Sequence, residues 1–216
     1  MAAEVETSVT IPLDGEVHAG ELVVPDEAIG VVAFAHGSGS SRLSPRNRFV
    51  ADRLQGDGIA TLLFDLLTEK EDRDYETRFD IDLLTHRLLG ATEWLQQLGP
   101  VRHLPIGFFG ASTGSAAALR AAADNAAIGA VVSRGGRPDL AMDELPRVRA
   151  PTLLIVGGND DVVIELNRSA YARITAVKAL EIVPGATHLF EEPGTLNQVA
   201  RLAAGWFHKY LPGRAV

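Results

Sequence analysis

Hydrophobic residues follow two different rhythms along this chain. Near residues 4–11 and 16–24, apolar and polar positions alternate, and the intervening Pro-Leu-Asp-Gly at 12–15 is typical of a turn. This start predicts an antiparallel hairpin. After it the apolar positions become continuous, and the runs alternate with longer amphipathic or alanine-rich segments. The runs lie at 29–35, 59–66, 105–109, 128–133, 151–156 and 179–184.

Continuous apolar runs separated by helices indicate parallel strands that are buried on both faces. The clearest helix places apolar residues three and four positions apart, at Ile81, Leu84, Leu88, Ala91, Leu95 and Leu98. Other helices are predicted at 45–55, 112–123, 163–174 and 195–210. We therefore expect an α/β fold in one domain over residues 1–216: a doubly wound, mostly parallel sheet of about eight strands, with the hairpin at one edge.

Composition narrows the choice of partners and chemistry. The 216 residues carry 28 acidic and 20 basic side chains, a net charge of −8, which argues against a nucleic acid or an anionic membrane as partner. The chain contains no cysteine, which excludes disulfides, thiolate metal ligands and a cysteine nucleophile. The start of the chain has no basic segment followed by an apolar one, and no run reaches about 20 apolar residues, so we expect a cytoplasmic protein.

In open sheets of this kind, ligands bind beyond the carboxyl ends of the strands. One such loop is Gly-Ala-Ser-Thr-Gly at 110–114, between an apolar run and an alanine-rich helix. A sharp strand-to-helix turn exposes a nucleophilic serine, here Ser112, and requires small residues two positions to either side. With 21 glycines in the chain, chance alone supplies such a pentapeptide in about one chain in ten. The position of the motif after a buried strand is what favours a nucleophile.

The loop His-Gly-Ser-Gly-Ser-Ser at 36–41 follows an earlier strand. Its small residues allow the backbone to approach a substrate. A flexible connection is the less favoured alternative for this loop taken alone, and together with Ser112 the loop indicates an oxyanion hole built from the N–H groups of Ser38 and Thr113. We expect His36 to structure its loop rather than to act as a base.

Two later loops supply the remaining parts of a catalytic triad. Asp160 and Asp161 follow one strand, and one carboxylate can orient a histidine while the other caps the next helix. We assign the triad acid to Asp160 and the cap to Asp161, although the sequence leaves the reverse assignment open. Of six histidines, only His188 lies beyond the end of a late strand, where it can serve as general base toward Ser112.

The order Ser…Asp…His is that of an α/β-hydrolase. From HGSGSS through GASTG and LLIVGGNDDVV to GATHLF, the chain resembles the α/β-hydrolase superfamily, and within it is similar to dienelactone-hydrolase-like proteins. The resemblance implies Ser112 as nucleophile, His188 as base and Asp160 as acid, with Ser38 and Thr113 as oxyanion donors. Dienelactone hydrolases proper use a cysteine nucleophile, so the absence of cysteine shifts the expected activity from lactones toward a serine esterase.

Arginines near the expected site are candidates for binding a substrate carboxylate. Arg42 and Arg46 follow the oxyanion loop, while Arg134 and Arg137 follow a later strand; a surface role for each is an open alternative. Asp65, at the end of a strand, is expected to organise its own loop or the site. Many relatives insert a cap domain after residue 133, but here only 17 residues, 134–150, separate the strands, so we expect no cap and a shallow site.

We therefore expect a carboxylesterase-type serine hydrolase that cleaves esters of small acyl groups through an acyl-enzyme. The alternatives are a lactone hydrolase of the dienelactone type and a catalytically silent binding module with the same fold. The expected partner is a small ester or lactone, with no nucleic acid, membrane, cofactor or metal. Whether the chain forms a homo-oligomer is left open.

Overall fold

The computed structural model describes residues 5–212 and contains one eight-stranded sheet. The strands lie at β1 (Val5–Leu13), β2 (Glu16–Val24), β3 (Val31–Ala35), β4 (Ala60–Phe64), β5 (Ile106–Ala111), β6 (Ala130–Arg134), β7 (Thr152–Gly157) and β8 (Lys178–Val183). Their order in the sheet is β1-β2-β4-β3-β5-β6-β7-β8. The first two strands pair antiparallel as the predicted hairpin, β2 runs antiparallel to β4, and all later pairs are parallel.

Five helices cover the two faces of the sheet. They lie at α1 (Pro45–Gly56), α2 (Ile81–Gln97), α3 (Thr113–Asp124), α4 (Asp161–Arg173) and α5 (Thr195–Tyr210). The apolar stripe of α2 packs with α3 into the larger core cluster, while α1 and α5 pack into a second cluster across the sheet. Both faces of the central strands are thus covered, which explains why their sequences are continuously apolar: every residue of β3, β4, β5, β6 and β7 is buried.

The order in which successive strands are added to the sheet reverses at β3, whose neighbours are β4 on one side and β5 on the other. The crossovers from β3 to β4 and from β4 to β5 therefore lie on opposite sides of the sheet, and a crevice opens where the loops after β3 and β5 separate. Doubly wound sheets bind their ligands at this point. The predicted nucleophile loop follows β5 and the predicted oxyanion loop follows β3, so both lie at the crevice.

The predicted fold, an α/β-hydrolase sheet with an edge hairpin, is confirmed. Between β6 and β7 the chain forms only two short 3₁₀ turns, Pro138–Ala141 and Leu145–Arg147, and the described residues contain no cap domain. The element ends differ slightly from those predicted, because β5 continues to Ala111 and β6 to Arg134. None of the helices within residues 5–212 is long and apolar enough to cross a membrane.

Candidate active site

Ser112 occupies the tight turn between β5 and α3. Its backbone angles, φ 50° and ψ −122°, lie in a region that residues other than glycine rarely adopt, so the turn stores strain. The N–H of Ser112 donates to the carbonyl of Arg134 at 3.2 Å. The carbonyl of Ser112 accepts from the N–H groups of Ser115 and Arg137. Hydrogen bonds on both sides of the residue hold the strained conformation, which is that of a nucleophile elbow.

The flanking glycines are required by space. A Cβ on Gly114 would lie 2.1 Å from the carbonyl oxygen of Ala35, and one on Gly110 would lie 2.5 Å from Cα of Ser115. Both distances are far below van der Waals contact. The spacing that made Ser112 a candidate in the sequence therefore has a steric cause: helix α3 begins directly against the ends of β3 and β5.

His188 and Asp160 form the second half of the site. Nδ1 of His188 lies 2.7 Å from Oδ2 of Asp160, in a partly buried pair. Asp160 stands at the N-cap position of α4, but its side chain makes no capping hydrogen bond and contacts the histidine instead. Asp161 is the first residue of α4 and is exposed. Between the two carboxylates that the sequence left open, Asp160 is the one that contacts the imidazole.

Ser112 and His188 line one pocket of about 250 Å³. The other walls come from the loop after β3, the first turn of α1, and Arg134 at the end of β6. Larger cavities occur elsewhere, but they lie against the hairpin or between helix ends and contain no member of the Ser112, His188 and Asp160 set. The small pocket is the place where a nucleophile and a base face the same space.

His36 is buried and fixes the loop after β3. Its Nε2 accepts the N–H of Leu66 at 3.0 Å, so Nδ1 carries the proton and donates to the carbonyl of Gly37 at 3.0 Å. Burial lowers the pKa of His36, because the charged form would lose its hydration. The residue thus ties the ends of β3 and β4 together as a neutral ring, which is the structural role expected from the sequence.

The predicted oxyanion donors lie next to each other in an arrangement that the sequence did not indicate. The N–H of Ser38 donates to Oγ1 of Thr113 at 2.9 Å, which joins two loops 75 residues apart. Thr113 is the first residue of α3 and is buried. The amide of Ser38 therefore already has a partner, and the oxyanion role of both residues stays a prediction.

The loop that carries His188 is held by an acidic side chain that the sequence analysis missed. Glu192 accepts hydrogen bonds from both the N–H and the hydroxyl of Thr187, at 3.1 and 2.6 Å. The hydroxyl contributes most to lowering the pKa of Glu192, since it stabilises the carboxylate form. The only sequence signal is the spacing of five residues from Thr187, which is too common to interpret without the turn.

The candidate arginines differ in their partners. Arg42 donates to Asp65 through both its backbone N–H and its side chain, and Arg137 forms a forked pair with Asp139. Arg46 pairs with Glu191 at 3.2 Å. Arg134 is the exception, since it is buried and lines the pocket but forms no ion pair with any residue among 5–212. Asp65 thus organises the loop that contains Arg42.

Comparison with known proteins decides the family. The model of the dienelactone hydrolase family matches residues 19–207, most of the chain. The chain belongs to the dienelactone hydrolase family. This family is a family of hydrolases, and the assignment agrees with the resemblance seen in the sequence.

A solved relative of the dienelactone hydrolase type supports this assignment over the full domain. The crystal structure of a dienelactone hydrolase from Anabaena variabilis is 55% identical, covers 96% of this chain and 99% of that chain, and superimposes with a TM-score of 0.93. The esterase domain of a Rhodothermus marinus protein has a TM-score of 0.77 over 96% of this chain and 99% of that one. At 20% identity the latter similarity concerns the fold alone.

Two curated relatives of this family member are longer proteins. Each comes from a Mycobacterium tuberculosis strain, is 61% identical over 196 residues, and has the provisional name phosphoribosyl transferase. The match covers 90% of this chain but only 44% of each relative. The chain thus spans less than half the length of these proteins, and their name describes a larger molecule.

Asn47 is a further pocket residue of this dienelactone hydrolase family member that sequence reasoning missed. It lies in the first turn of α1, is buried, and accepts a hydrogen bond from Arg134 at 3.3 Å. The sequence predicted a helix from residue 45, but nothing in it indicated that this turn faces β6. No cluster of three histidine or acidic residues within 5–212 is arranged to hold a metal ion.

Proposed function

We propose that this chain is a serine hydrolase that cleaves carboxylic esters of small acyl groups through an acyl-enzyme. One observation carries the proposal: the strained turn of Ser112 opens on the same pocket as His188, and Asp160 holds the other ring nitrogen of that histidine. A serine hydroxyl is a weak nucleophile without a base, so this combination is the feature that chemistry requires.

In the proposed reaction, Oγ of Ser112 attacks the ester carbonyl while Nε2 of His188 takes the hydroxyl proton. Asp160 keeps the proton of His188 on Nδ1 and stabilises the imidazolium that forms. The tetrahedral intermediate collapses, His188 returns the proton to the leaving alcohol, and the acyl group stays on Ser112. Water then attacks the acyl-enzyme with His188 again as base, which releases the acid and restores the serine.

The negative oxygen of the tetrahedral intermediate needs donors next to Ser112. The N–H of Thr113 is at the start of α3, where backbone donors have no partner within the helix. The proposed second donor is the N–H of Ser38. To reach the oxyanion, this N–H either donates to the oxyanion and the Thr113 hydroxyl together or gives up its hydrogen bond to that hydroxyl. That hydroxyl therefore acts as the resting partner of the amide and keeps the loop after β3 in position.

The size of the pocket favours small acyl groups. Its volume of about 250 Å³ lies below the range of about 300–1,000 Å³ that is typical of ligand pockets. Leu189 is exposed at the rim, and residues 134–150 add only short turns, so the alcohol side of the ester faces solvent. We infer that selectivity lies in the acyl part rather than in the leaving group.

The direct test compares hydrolysis of p-nitrophenyl acetate by the wild type and by Ser112→Ala. The variant is expected to lose turnover to the level of the uncatalysed reaction, because no other group can form the acyl-enzyme. Ser169→Ala, an exposed serine on α4, serves as the matched control and should retain wild-type turnover. Turnover in Ser112→Ala equal to that of the control would refute the nucleophile assignment.

A lactone hydrolase is the second candidate, favoured by the 55% identity to the dienelactone hydrolase of Anabaena variabilis. A lactone is an internal ester, so the same triad would open it without releasing a separate alcohol. A panel of small lactones and acyclic esters, ranked by kcat/KM, separates the two candidates. A preference of at least about tenfold for lactones, roughly 1.4 kcal/mol in the transition state, would replace the esterase proposal with this one.

A further inference from the structure

Arg134 is a buried cation that has no counterion among residues 5–212. Its side chain lies at the end of β6, directly beside β5 and the nucleophile turn, and the residue is 6% exposed. Nη2 donates to Oδ1 of Asn47 at 3.3 Å, and the guanidinium lies 5.9 Å from the ring centre of Phe190. Nε has no hydrogen-bond partner, and no carboxylate within residues 5–212 pairs with the group.

Such an environment is unfavourable for a charged group unless a counterion binds to that group. Buried charges in proteins are ordinarily paired, because an isolated ion loses its hydration. Burial lowers the pKa of Arg134 to about 10, and the nearby charge of Arg46 adds to the effect. The group is nevertheless protonated at neutral pH, so the pocket contains a positive charge with unused donor capacity.

The surroundings of Arg134 make the pocket positive in an otherwise acidic protein. The chain has a net charge of −8, yet among the described residues no acidic side chain lines this pocket, while Arg46 does. Ser38, Ser40 and Ser44 also line it, and the hydroxyl of Ser44 accepts the N–H of Asn47 as the cap of α1. The first turn of α1 forms one wall, so the positive end of this twelve-residue helix lies beside the same space.

We propose that this pocket is a phosphate-binding subsite anchored by Arg134, and that the ester cleaved at Ser112 has a phosphate group on its acyl part. A buried guanidinium, a second arginine, serine residues and the first turn of a helix line the space. This suits a tetrahedral dianion with several acceptor oxygens better than a planar carboxylate, which one guanidinium fork can satisfy. The inference rests on the proposed function and specifies its substrate.

The position of Arg134 explains how such a group would orient the ester. Its own carbonyl accepts the N–H of Ser112, so the anchor and the nucleophile are fixed to each other through the backbone. A phosphate bound by the guanidinium therefore places the acyl carbonyl within the same small pocket as the nucleophile. Arg42 and Arg137 are neutralised by Asp65 and Asp139, and Arg46 shares its charge with the exposed Glu191 while it lines the pocket, so Arg134 is the group that gains most from an anion.

The first test measures binding of inorganic phosphate to Ser112→Ala by titration calorimetry at constant ionic strength. This variant cannot form an acyl-enzyme, so the result is independent of the proposed reaction. Phosphate should bind, and Arg134→Gln in the same background should weaken binding about 10- to 100-fold, as expected for loss of a charge-assisted contact. Arg137→Gln removes the same charge three residues away and should change binding less than twofold.

The second test compares hydrolysis of p-nitrophenyl phosphonoacetate and p-nitrophenyl acetate. The phosphonate stands in for phosphate, and its ester should have the higher kcat/KM, with the ratio reduced at least tenfold in Arg134→Gln but not in Arg137→Gln. A half-ester of succinic acid, which has a carboxylate instead, should rank below the phosphonate. A carboxylate ester that equals or exceeds the phosphonate would overturn the phosphate assignment, and a preference for the neutral ester would overturn the anion subsite.

Arg134→Gln must be folded for these comparisons to count, and thermal unfolding checks this. If it does not fold, Arg134→Lys and Arg46→Gln replace it. Lysine keeps the charge without the planar fork and should weaken phosphate binding about tenfold, while Arg46→Gln should weaken it less. Wild-type phosphate affinity in both variants would be a failure of this inference. Absence of esterase activity with unaltered phosphate binding would be a failure of the proposed function.

Discussion

Oδ2 of Asp160 lies 2.7 Å from Nδ1 of His188, although 28 residues separate them along the chain. The contact requires that the loops after β7 and β8 turn toward each other at the same end of two paired strands. It also requires that Asp160, which stands at the N-cap position of α4, leave the helix uncapped by its side chain. The carboxylate is thus diverted from a local structural role to the histidine.

Replacing this carboxylate should affect catalysis far more than replacing its neighbour. Asp160→Asn is expected to lower kcat/KM for p-nitrophenyl acetate by about 10³- to 10⁴-fold, because the amide no longer selects the right tautomer or stabilises the imidazolium. Asp161→Asn, at the first position of α4, is the matched control and should change kcat/KM less than threefold. Equal losses in both variants would contradict the assignment of the triad acid.

Gly114, two residues after the nucleophile, should contribute strongly to stability. Gly114→Ala would place a Cβ 2.1 Å from the carbonyl oxygen of Ala35, and we expect a loss of about 3 kcal/mol in the free energy of unfolding, measured with urea. Gly205→Ala is the control: this helical glycine in α5 has no atom within 4 Å of an added Cβ, and alanine there should stabilise by up to about 1 kcal/mol. A neutral Gly114→Ala would show that the turn can relax.

The hydroxyl of Thr113 should act through the amide of Ser38. Thr113→Val keeps the shape of the side chain but removes the acceptor for the Ser38 N–H, so the loop after β3 loses one of the hydrogen bonds that fix its position. We expect kcat to fall about tenfold with little change in KM, as for a group that matters mainly in the transition state. Thr113→Ser, which keeps the hydroxyl, should stay within threefold of the wild type. A valine variant with wild-type kcat would exclude this positioning role.

Stability should fall in mild acid because of His36. Burial lowers the pKa of His36 in the folded state, so below its ordinary value of 6.5 the unfolded chain takes up a proton that the folded chain resists. The contribution of His36 is therefore present above pH 6.5 and is lost as the pH falls toward the lowered value, at no more than about 1.4 kcal/mol per pH unit.

The check is urea unfolding of the wild type and His36→Gln at pH 7.5 and 5.5. Glutamine can accept from Leu66 but does not titrate, so the variant should lose less stability between the two pH values than the wild type. The comparison of the two differences removes the contributions of the other titrating groups. Identical pH dependence in both proteins would contradict a buried neutral His36.

The sequence determines the fold and the order of the site for a clear physical reason. Buried parallel strands leave continuous apolar runs, and chemistry at their carboxyl ends follows each run directly, as Ser112, Asp160 and His188 do. What the sequence could not provide is the partner of each side chain. The four arginines near the site look alike in the sequence, but Arg42 pairs with Asp65, 23 residues away, whereas Arg134 contacts Asn47, 87 residues away, and pairs with no acid among residues 5–212.

The hydrogen bond from Ser38 to Thr113 is unpredictable for the same reason. The sequence places Thr113 in the nucleophile loop and Ser38 in the loop after β3, and it cannot show that the hydroxyl of Thr113 meets the amide of Ser38 across 75 residues. The choice between Asp160 and Asp161 is similar, since both residues are acidic and adjacent. Only the direction in which β7 ends decides which carboxylate contacts His188.

The central claim, that Ser112 is an activated nucleophile, is tested most directly by reaction with a fluorophosphonate. The folded protein should gain one covalent adduct, which mass spectrometry of the peptides places on Ser112, and His188→Ala should slow the labelling at least about 100-fold, because the base that activates the serine is gone. No adduct on Ser112, or equal labelling in the histidine variant, would contradict the account and favour a catalytically silent binding module.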